Sequence, residues 1–565
     1  MKFKKIVDVL EELEKTGSNN KMRDILADFF QDCPDSDLKQ ATYLLAGRIS
    51  SEYRGVVTGM SDKLVLQSVA KASGRDLKKV KKIFRKKGDI GETAEELIGR
   101  RKEKLSVKNV FEELNEIAEA SGEGSQDKKI ISLAELFKKV SSKEAKYIAR
   151  LVVGTMRTGS GDKTILDALA VAFTGSADAR KELDKAYHVH PDLGYLAEKI
   201  AKRKLKGIKS VGISFKRPVK AMLAQRVKSF DEIFRKIRGK MAVEEKYDGE
   251  RMQVHVKGDR VKLYSRRLED ISSQYPDVIK AVKKQIKCDS CILDGECCAV
   301  DDKGRLLHFQ VLMQRRRKYN VEKYVEKIPV CLFLFDLLYL DGKSYLQKSY
   351  PERYKALKSV VKKQNNKLKL ANRIVTRDKE KIKKFFNRMI KKGAEGVLIK
   401  SMADDSVYKA GTRGWLWIKW KKEYAEGMMD TFDLVVVGGF KGKGRRSYSY
   451  GSLLCAVYDT KSKKFDTFTK VGSGFTDKQL KELPKKMKKF KVKEKPKSVN
   501  ARKDMKPDVW FKPSVVIEVL GAEITKSPLH TAAGGLALRF PRFLRYRPDK
   551  SAKQATTVKE IRQMK

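Results

Sequence analysis

The chain has 565 residues, and at ~150 residues per domain that length implies three or four domains rather than one core. Hydrophobic residues make up 41% and charged residues 35%, a balance that fills cores and excludes wholesale disorder. Lys and Arg total 126 against 72 Asp and Glu; the resulting +54 points to a polyanionic partner, with an anionic membrane surface as the other candidate. No run of about 18 apolar residues exists, which excludes a membrane-spanning helix. The opening MKFKKIVDVLEELEK is charged too regularly to be a secretory signal.

Residues 1 to about 215 read as an all-α domain. VDVLEELEK, ATYLLAGRI, KLVLQSVAKA, KKIISLAELFKKV and KTILDALAVAF carry apolar residues at three- and four-residue spacing. From residue 216 to about 423 the texture changes. QVHVKG, VKLYSRR, CILDGECCAV, VCLFLFDLLYL and GVLIKS read as strands, and DKEKIKKFFNRMIKKG as a basic helix between them. This part is expected to be α+β with largely antiparallel sheets. Residues 424 to 565 are strand-rich (FDLVVVGGF, GSLLCAVYD, KFDTFTKVG, SVVIEVLGAEI), which suggests a small barrel. Within it, LPKKMKKFKVKEKPKSVNARKDMKP reads as an exposed helix plus loop.

The odd count of 7 cysteines is no disulfide framework, and reduced thiols in a cytoplasm are the simplest reading. Cys288, Cys291, Cys297 and Cys298 crowd together and raise a zinc alternative. The second pair is adjacent rather than spaced, so buried small residues on a strand hairpin is the preferred reading.

Candidate chemistry starts at Lys246-Tyr247-Asp248-Gly249-Glu250-Arg251. A lysine amine is a nucleophile when uncharged, which burial beside other cations favours. The glycine permits a tight turn close to a ligand. Alone, the tetrapeptide K-x-D-G also fits a surface turn with a solvated lysine. Asp294-Gly295-Glu296 ends one apolar strand and Glu395 precedes another, so Glu296 and Glu395 could hold Mg²⁺ through oxygen ligands. Lys419 and Lys421 share one face of a strand and could meet one phosphate. Residues 539 to 550 interleave arginines with aromatics, a pattern suited to phosphate oxygens.

K-Y-D-G-E-R, S-R-R (residues 265–267), D-G-E, F-D-L-L-Y-L, E-G-V-L-I-K, W-I-K-W-K and R-P-D-K occur in the order of the covalent nucleotidyltransferase motifs. The set most closely resembles ATP-dependent DNA ligases of the archaeal and eukaryotic replicative type. The resemblance covers nearly the whole chain. EAKYIAR, the Met156-Arg157-Thr158-Gly159 turn, RPVKAMLA at the first junction and QATT after the last motif support it. It implies a helical DNA-binding domain (1–215), an adenylation domain (216–423) and an OB-fold β-barrel (424–565).

The resemblance also implies a reaction. Lys246 takes AMP from ATP, the AMP passes to the 5′-phosphate of a nick, and the 3′-hydroxyl displaces it. Glu244 reads adenine, one of two neighbouring glutamates of which only one can face inward. Phe335 stacks on the base, with simple core packing as the alternative. Arg251, Arg266 and Arg413 contact the nucleotide, and Arg266 also the nick 5′-phosphate. Glu296 serves ribose or metal, Glu395 metal, and Lys419 and Lys421 the α-phosphate. Arg547, Asp549 and Lys550 ride on the mobile barrel and orient pyrophosphate, while Arg542 and Arg545 serve that phase or grip DNA.

In the helical domain, Arg157 and Gly159 belong to a loop offering N–H groups to DNA phosphate, or to an ordinary interhelical turn. The expected cofactors are ATP and Mg²⁺, or Mn²⁺ in its place. The expected partner is nicked duplex DNA held by its backbone. A monomer in the cytoplasm or on the nucleoid is expected, in the nucleus if the source is eukaryotic. No Q-x-x-hydrophobic-x-x-aromatic-aromatic box is found, so a sliding-clamp partner rests on analogy. RNA ligases and mRNA-capping enzymes share the lysine chemistry but lack so large a helical domain before it. A non-catalytic DNA-binding scaffold is a further alternative. NAD⁺-dependent ligases carry a four-cysteine zinc module after the barrel that is not found here.

Overall fold

The computed structural model describes every residue except 100–104, 228, 316–320, 422–430, 443–445, 447, 522 and 565. It divides into two compact units, Met1–Lys421 and Lys422–Lys565.

Helices run from Phe3–Lys15 through Leu193–Lys209 and bury one continuous apolar core. The helix Ser142–Val152 shows why they form. Ser141 accepts from the Glu144 backbone N–H, and the Glu144 carboxylate accepts from the Ser141 backbone N–H at 2.8 Å, a reciprocal cap. Residues Glu144 to Val152 of that helix are all buried, including two cations. Lys146 meets Glu11 and Glu14 at 3.1 and 2.8 Å, and Arg150 meets Glu14 and Asp89. The EAKYIAR run therefore holds the helical core together through internal ion pairs.

Eleven strands follow: β1 (Leu223–Arg226), β2 (Met241–Lys246), β3 (Glu250–Lys257), β4 (Arg260–Ser265), β5 (Ser290–Ala299), β6 (Val330–Leu340), β7 (Lys343–Ser344), β8 (Leu368–Leu370), β9 (Arg373–Thr376), β10 (Gly396–Ser401) and β11 (Arg413–Lys421). They form two sheets, in the orders β1-β11-β10-β2-β9 and β4-β3-β5-β6-β7, with β8 beside β6. Only the β1/β11 and β6/β8 ladders among them are parallel. One core lies between the second sheet and the helices Pro276–Gln285 and Tyr350–Val360; another draws side chains from both sheets.

Strand β5 corrects one expectation. Asp294-Gly295-Glu296 does not end a strand; it lies in the middle of one running to Ala299. Gly295 permits this, because a Cβ there would meet the Phe333 carbonyl at 2.9 Å. The register between β5 and β6 shifts twice. Asp294 faces Asp336 and Gly295 faces Leu334, which leaves Phe335 as the extra residue of a bulge. The cysteines also differ from the expected hairpin, since Cys291, Cys297 and Cys298 share the single strand β5. Cys291 and Cys297 are six residues apart, or about 20 Å along a strand. Cys297 and Cys298 enter separate cores. One ion cannot collect these thiols.

The second unit has β12 (Thr431–Lys441), β13 (Tyr450–Asp459), β14 (Lys464–Val471), β15 (Lys491–Val492), β16 (Val499–Asn500), β17 (Val509–Leu520), β18 (Glu523–Lys526), β19 (Leu536–Arg539) and β20 (Arg542–Tyr546). Its main sheet runs β15-β17-β12-β13-β14-β16, with β20 on β17. The β18/β19 ladder joins it through Thr469, whose hydroxyl donates to the Leu538 carbonyl at 3.0 Å. The lysine-rich segment expected to be exposed is only partly so. Its helix Asp477–Lys488 buries Leu480, Leu483 and Met487, and Val499 and Met505 are also buried. Apolar residues three and four apart form a stripe beneath lysines that reach solvent.

Candidate active site

A cleft of about 770 Å³ opens where the two sheets of the α+β part face each other. Lys246, Glu244, Arg251, Arg266, Glu296, Phe335, Glu395, Arg413, Lys419 and Lys421 all line it. Ten positions spread over almost 180 residues thus converge on one space.

Strand pairing brings them there. In register, Lys246 at the end of β2 faces Gly396 of β10, and Gly396 faces Lys421 of β11. Glu395 N–H donates to the Lys246 carbonyl at 2.9 Å. The Glu395 carboxylate contacts the amines of both Lys246 and Lys421. The expected crowding of cations about Lys246 therefore has a carboxylate at its centre. Gly396 is needed for this approach: its φ is +151°, and a Cβ would lie 2.2 Å from the Trp420 carbonyl. Two residues along β11, burial and the charges of Lys246, Arg413, Arg266 and Arg226 hold the Lys419 amine below the ordinary lysine range. So dense a set of cations suits a polyphosphate.

Gly249 of K-Y-D-G lines the cleft and is also pressed against the second sheet, with a φ that is not positive. A Cβ would lie 2.3 Å from the Cys297 carbonyl and 2.7 Å from the Cys298 sulfur. Gly249→Ala must therefore push the Lys246 segment off β5. We expect it to destabilise this part by about 1–3 kcal/mol and to slow chemistry at Lys246 about 100-fold. Thermal unfolding and single-turnover labelling check both.

The carboxylates divide the cleft. Glu296, half-buried on β5 opposite Arg251, has its carboxyl pushed up to about 7 by burial, against the lowering charges of Lys246 and Arg251. Arg251 is engaged by Asp294 at 3.0 and 2.6 Å, donates to the Met222 carbonyl at 2.7 Å and to the Tyr408 oxygen at 3.2 Å. Glu244 is the inward member of its pair. It meets Lys400 at 2.8 Å and accepts from the Tyr350 hydroxyl. Glu245 turns the other way, with its backbone N–H on Asn372 and its carboxyl raised by burial. Phe335 lines the cleft, and its ring packs edge-on to Trp417, with centroids 6.1 Å apart.

Three segments match models of known families. Residues 2–170 match the DNA ligase N terminus, 221–421 the ATP dependent DNA ligase domain, and 446–550 the ATP dependent DNA ligase C terminal region. DNA ligase 1 of Methanosarcina acetivorans is 46% identical over 577 residues, covering 100% of this chain and 99% of that protein. DNA ligase 2 of Thermofilum pendens is 44% identical over 581 residues, covering 99% and 96%. The chain belongs to the ATP-dependent DNA ligase family. The solved structure Pmar-Lig_Pre, 17% identical with a TM-score of 0.59 over 96% of this chain and 99% of its own, shares the fold. These relatives do not favour the RNA-ligase and capping-enzyme alternatives.

Arg157 and Gly159 are not among the residues lining the cleft of this ligase, and the other predicted residues belong to the second unit. Arg157, at φ +62°, is 2.9 Å from Asp89 and donates to the Gly88 carbonyl at 3.1 Å. Gly159, at φ +77°, turns the chain toward the helix Asp162–Thr174, where the Asp162 carboxylate is held by Arg48 and Tyr187. In the second unit, Arg547 pairs with Asp433 at 3.0 Å and Asp549 at 2.7 Å, and Lys550 reaches Asp433 at 2.6 Å. The Arg547 guanidinium holds the Asp549 carboxyl at about 2. Arg545 pairs with Glu518, and Arg542 is exposed on β20.

Four partners escaped the sequence reading. Asp294 and Lys400 stand inside motifs already singled out, and their charge was the available signal. Tyr350 and Tyr408 sit in segments with no local signature; only the fold brings their hydroxyls to Glu244 and Asp294.

Proposed function

We propose that this ligase seals nicks in duplex DNA through adenylation of Lys246, with the cleft residues in the roles the motif order implies. The observation that carries this reading is the convergence of Lys246 on β2, Lys421 on β11 and Glu395, just before β10, at the ends of three adjacent strands. The uncharged Lys246 amine attacks the α-phosphorus of ATP. A P–N bond forms, the α–β P–O bond breaks, pyrophosphate leaves, and the amine proton goes to solvent. An oxygen of the nick 5′-phosphate then attacks the adenylate phosphorus; the P–N bond breaks and Lys246 regains its proton. Finally the 3′-hydroxyl oxygen attacks the 5′-phosphorus, loses its proton and expels AMP.

At each stage negative charge builds on phosphate oxygens, and fixed cations stabilise it without reorganising. Lys419 and Lys421 meet the α-phosphate, Arg266 and Arg413 the nucleotide and the nick phosphate, and Phe335 the face of the base. Arg251 supports the nucleotide from its pair with Asp294. Arg547 and Lys550 serve pyrophosphate departure, and Arg157, Gly159, Arg542 and Arg545 serve DNA.

The donor set fits Mg²⁺, and Mn²⁺ by the same chemistry. The Glu296 carboxyl is half-buried and has no hydrogen-bond partner among the described residues. Phosphates entering the cleft compete for Lys246 and Lys421 and release the oxygens of Glu395. No cluster of three or more metal-ligating side chains occurs among the described residues, so phosphate and water oxygens must complete the shell. A bound ion would neutralise and align those phosphates.

The reading extends to a monomer working on chromosomal DNA in the cytoplasm, with a sliding clamp as an optional partner. Among the described residues no helix is long and apolar enough to cross a membrane.

Incubation with α-labelled ATP and Mg²⁺ is expected to leave label on the denatured protein. Nicked duplex should chase it, RNA ends should not, and a chelator should prevent it. Label chased by RNA ends alone would contradict the assignment. With +54 to set against phosphates, affinity for nicked duplex should fall about 10³- to 10⁵-fold between roughly 50 and 200 mM salt. A salt titration of binding reads this directly, and a flat response would exclude backbone-dominated recognition.

A further inference from the structure

Behind Glu244 lies a polar network in which Lys400 and Tyr350 have no part in the reaction above. Glu244 is only 1% exposed. Its partner Lys400, at 2.8 Å, is wholly buried. The Lys400 amine also donates to the Phe335 carbonyl at 3.1 Å. It sits 4.7, 4.6 and 4.4 Å from the ring centroids of Phe335, Tyr350 and Trp417. Tyr350 donates its hydroxyl to the other oxygen of Glu244 and accepts from Arg373 at 3.1 Å. Lys400 thus ties the carboxylate assigned to the base edge to the ring assigned to the base face.

A buried cation away from the reacting phosphates has no evident task in phosphoryl transfer. It does have one in selecting the base. A carboxylate only accepts hydrogen bonds, whereas a protonated carboxyl also donates. Adenine presents an exocyclic amine where guanine presents a carbonyl oxygen. A carboxylate therefore selects adenine, and a carboxyl tolerates guanine. A carboxyl buried without a counter-charge takes up a proton.

We infer that Lys400 and Tyr350 are positioning residues that set the preference for ATP over GTP, by holding Glu244 as an oriented acceptor. The inference rests on the reading of Glu244 as the residue that meets the base edge. Lys400→Met keeps the length and apolar contacts of the side chain and removes the charge. Tyr350→Phe keeps the ring and removes one donor.

The test is single-turnover labelling of the full-length chain with α-labelled ATP and, separately, α-labelled GTP, on variants whose melting curves show a folded protein. Lys400→Met is expected to lower the ATP-to-GTP rate ratio at least about tenfold, and Tyr350→Phe to lower it about threefold. A residue serving structure alone would slow both nucleotides equally and leave the ratio unchanged. An unchanged ratio in folded Lys400→Met overturns the inference. If that variant does not fold, an unchanged ratio in Tyr350→Phe overturns it. Glu244→Gln separates the two levels. If it leaves the ratio intact, the reading of Glu244 falls. If it shifts the ratio while the Lys400 and Tyr350 variants do not, only the inference falls.

Discussion

Lys246→Ala is expected to leave no adenylate on the denatured protein and to cut sealing of an ordinary nick at least about 10⁴-fold. The size follows from the chemistry. On the proposed route the amine forms and then breaks the one covalent bond between enzyme and nucleotide, and no neighbour replaces it. Glu395 is an acceptor, and Lys421 lies across the sheet on the far side of that carboxylate. The last displacement makes no bond to Lys246. A nick supplied already adenylated at its 5′-phosphate should therefore still close in the variant, at a rate set by Lys419, Lys421 and the carboxylates proposed to hold metal. Adenylate surviving denaturation in the variant would sink the assignment of the nucleophile. Failure on the pre-adenylated nick would show that the side chain also serves the final step.

Asp336→Ala should be the most destabilising single change in the α+β part, by about 3–5 kcal/mol. Asp336 and Arg353 are both wholly buried and meet through two hydrogen bonds, at 2.8 and 3.1 Å. Arg353 also donates to the carbonyls of Lys348 and Ser406, each at 2.8 Å. Removing the carboxylate strands a cation inside the protein, and that penalty exceeds the loss of the bonds themselves. The variant also loosens the bulge that carries Phe335, so nucleotide binding should weaken with stability. The melting transition of the α+β part measures the first effect and ATP titration the second. A double variant, Asp336→Leu with Arg353→Met, should be less destabilised than the single change, although it leaves two carbonyls without their donor. A single-variant cost below about 1 kcal/mol would mean that water reaches the pair.

The helical first part, the α+β middle and the strand-rich end were all legible, because periodicity of apolar residues is a local property. The cleft was legible to a large extent as well. Lys246, Glu395 and Lys421 stand in segments whose residue types already suggest phosphate chemistry. What escaped was the partner of each charge. Arg251 was read as a nucleotide contact, yet Asp294 and Tyr408 hold it. Arg547 and Lys550 stand out through the R-P-D-K motif, and Asp433, more than a hundred residues earlier, holds both. Nothing in the neighbourhood of Asp433 signals this.

Composition and spacing pointed to a basic chain carrying groups suited to phosphate, because those features report which functional groups are available, and the resemblance in motif order pointed to Lys246 as the centre of the site. Pairing between distant segments was beyond them. The register of β2, β10 and β11, the bulge that frees Phe335, the contact that requires Gly249, and the burial of Lys400 against Glu244 arise only when separate strands meet. Each depends on shape complementarity across long loops, and a one-dimensional pattern carries no record of which surfaces will touch.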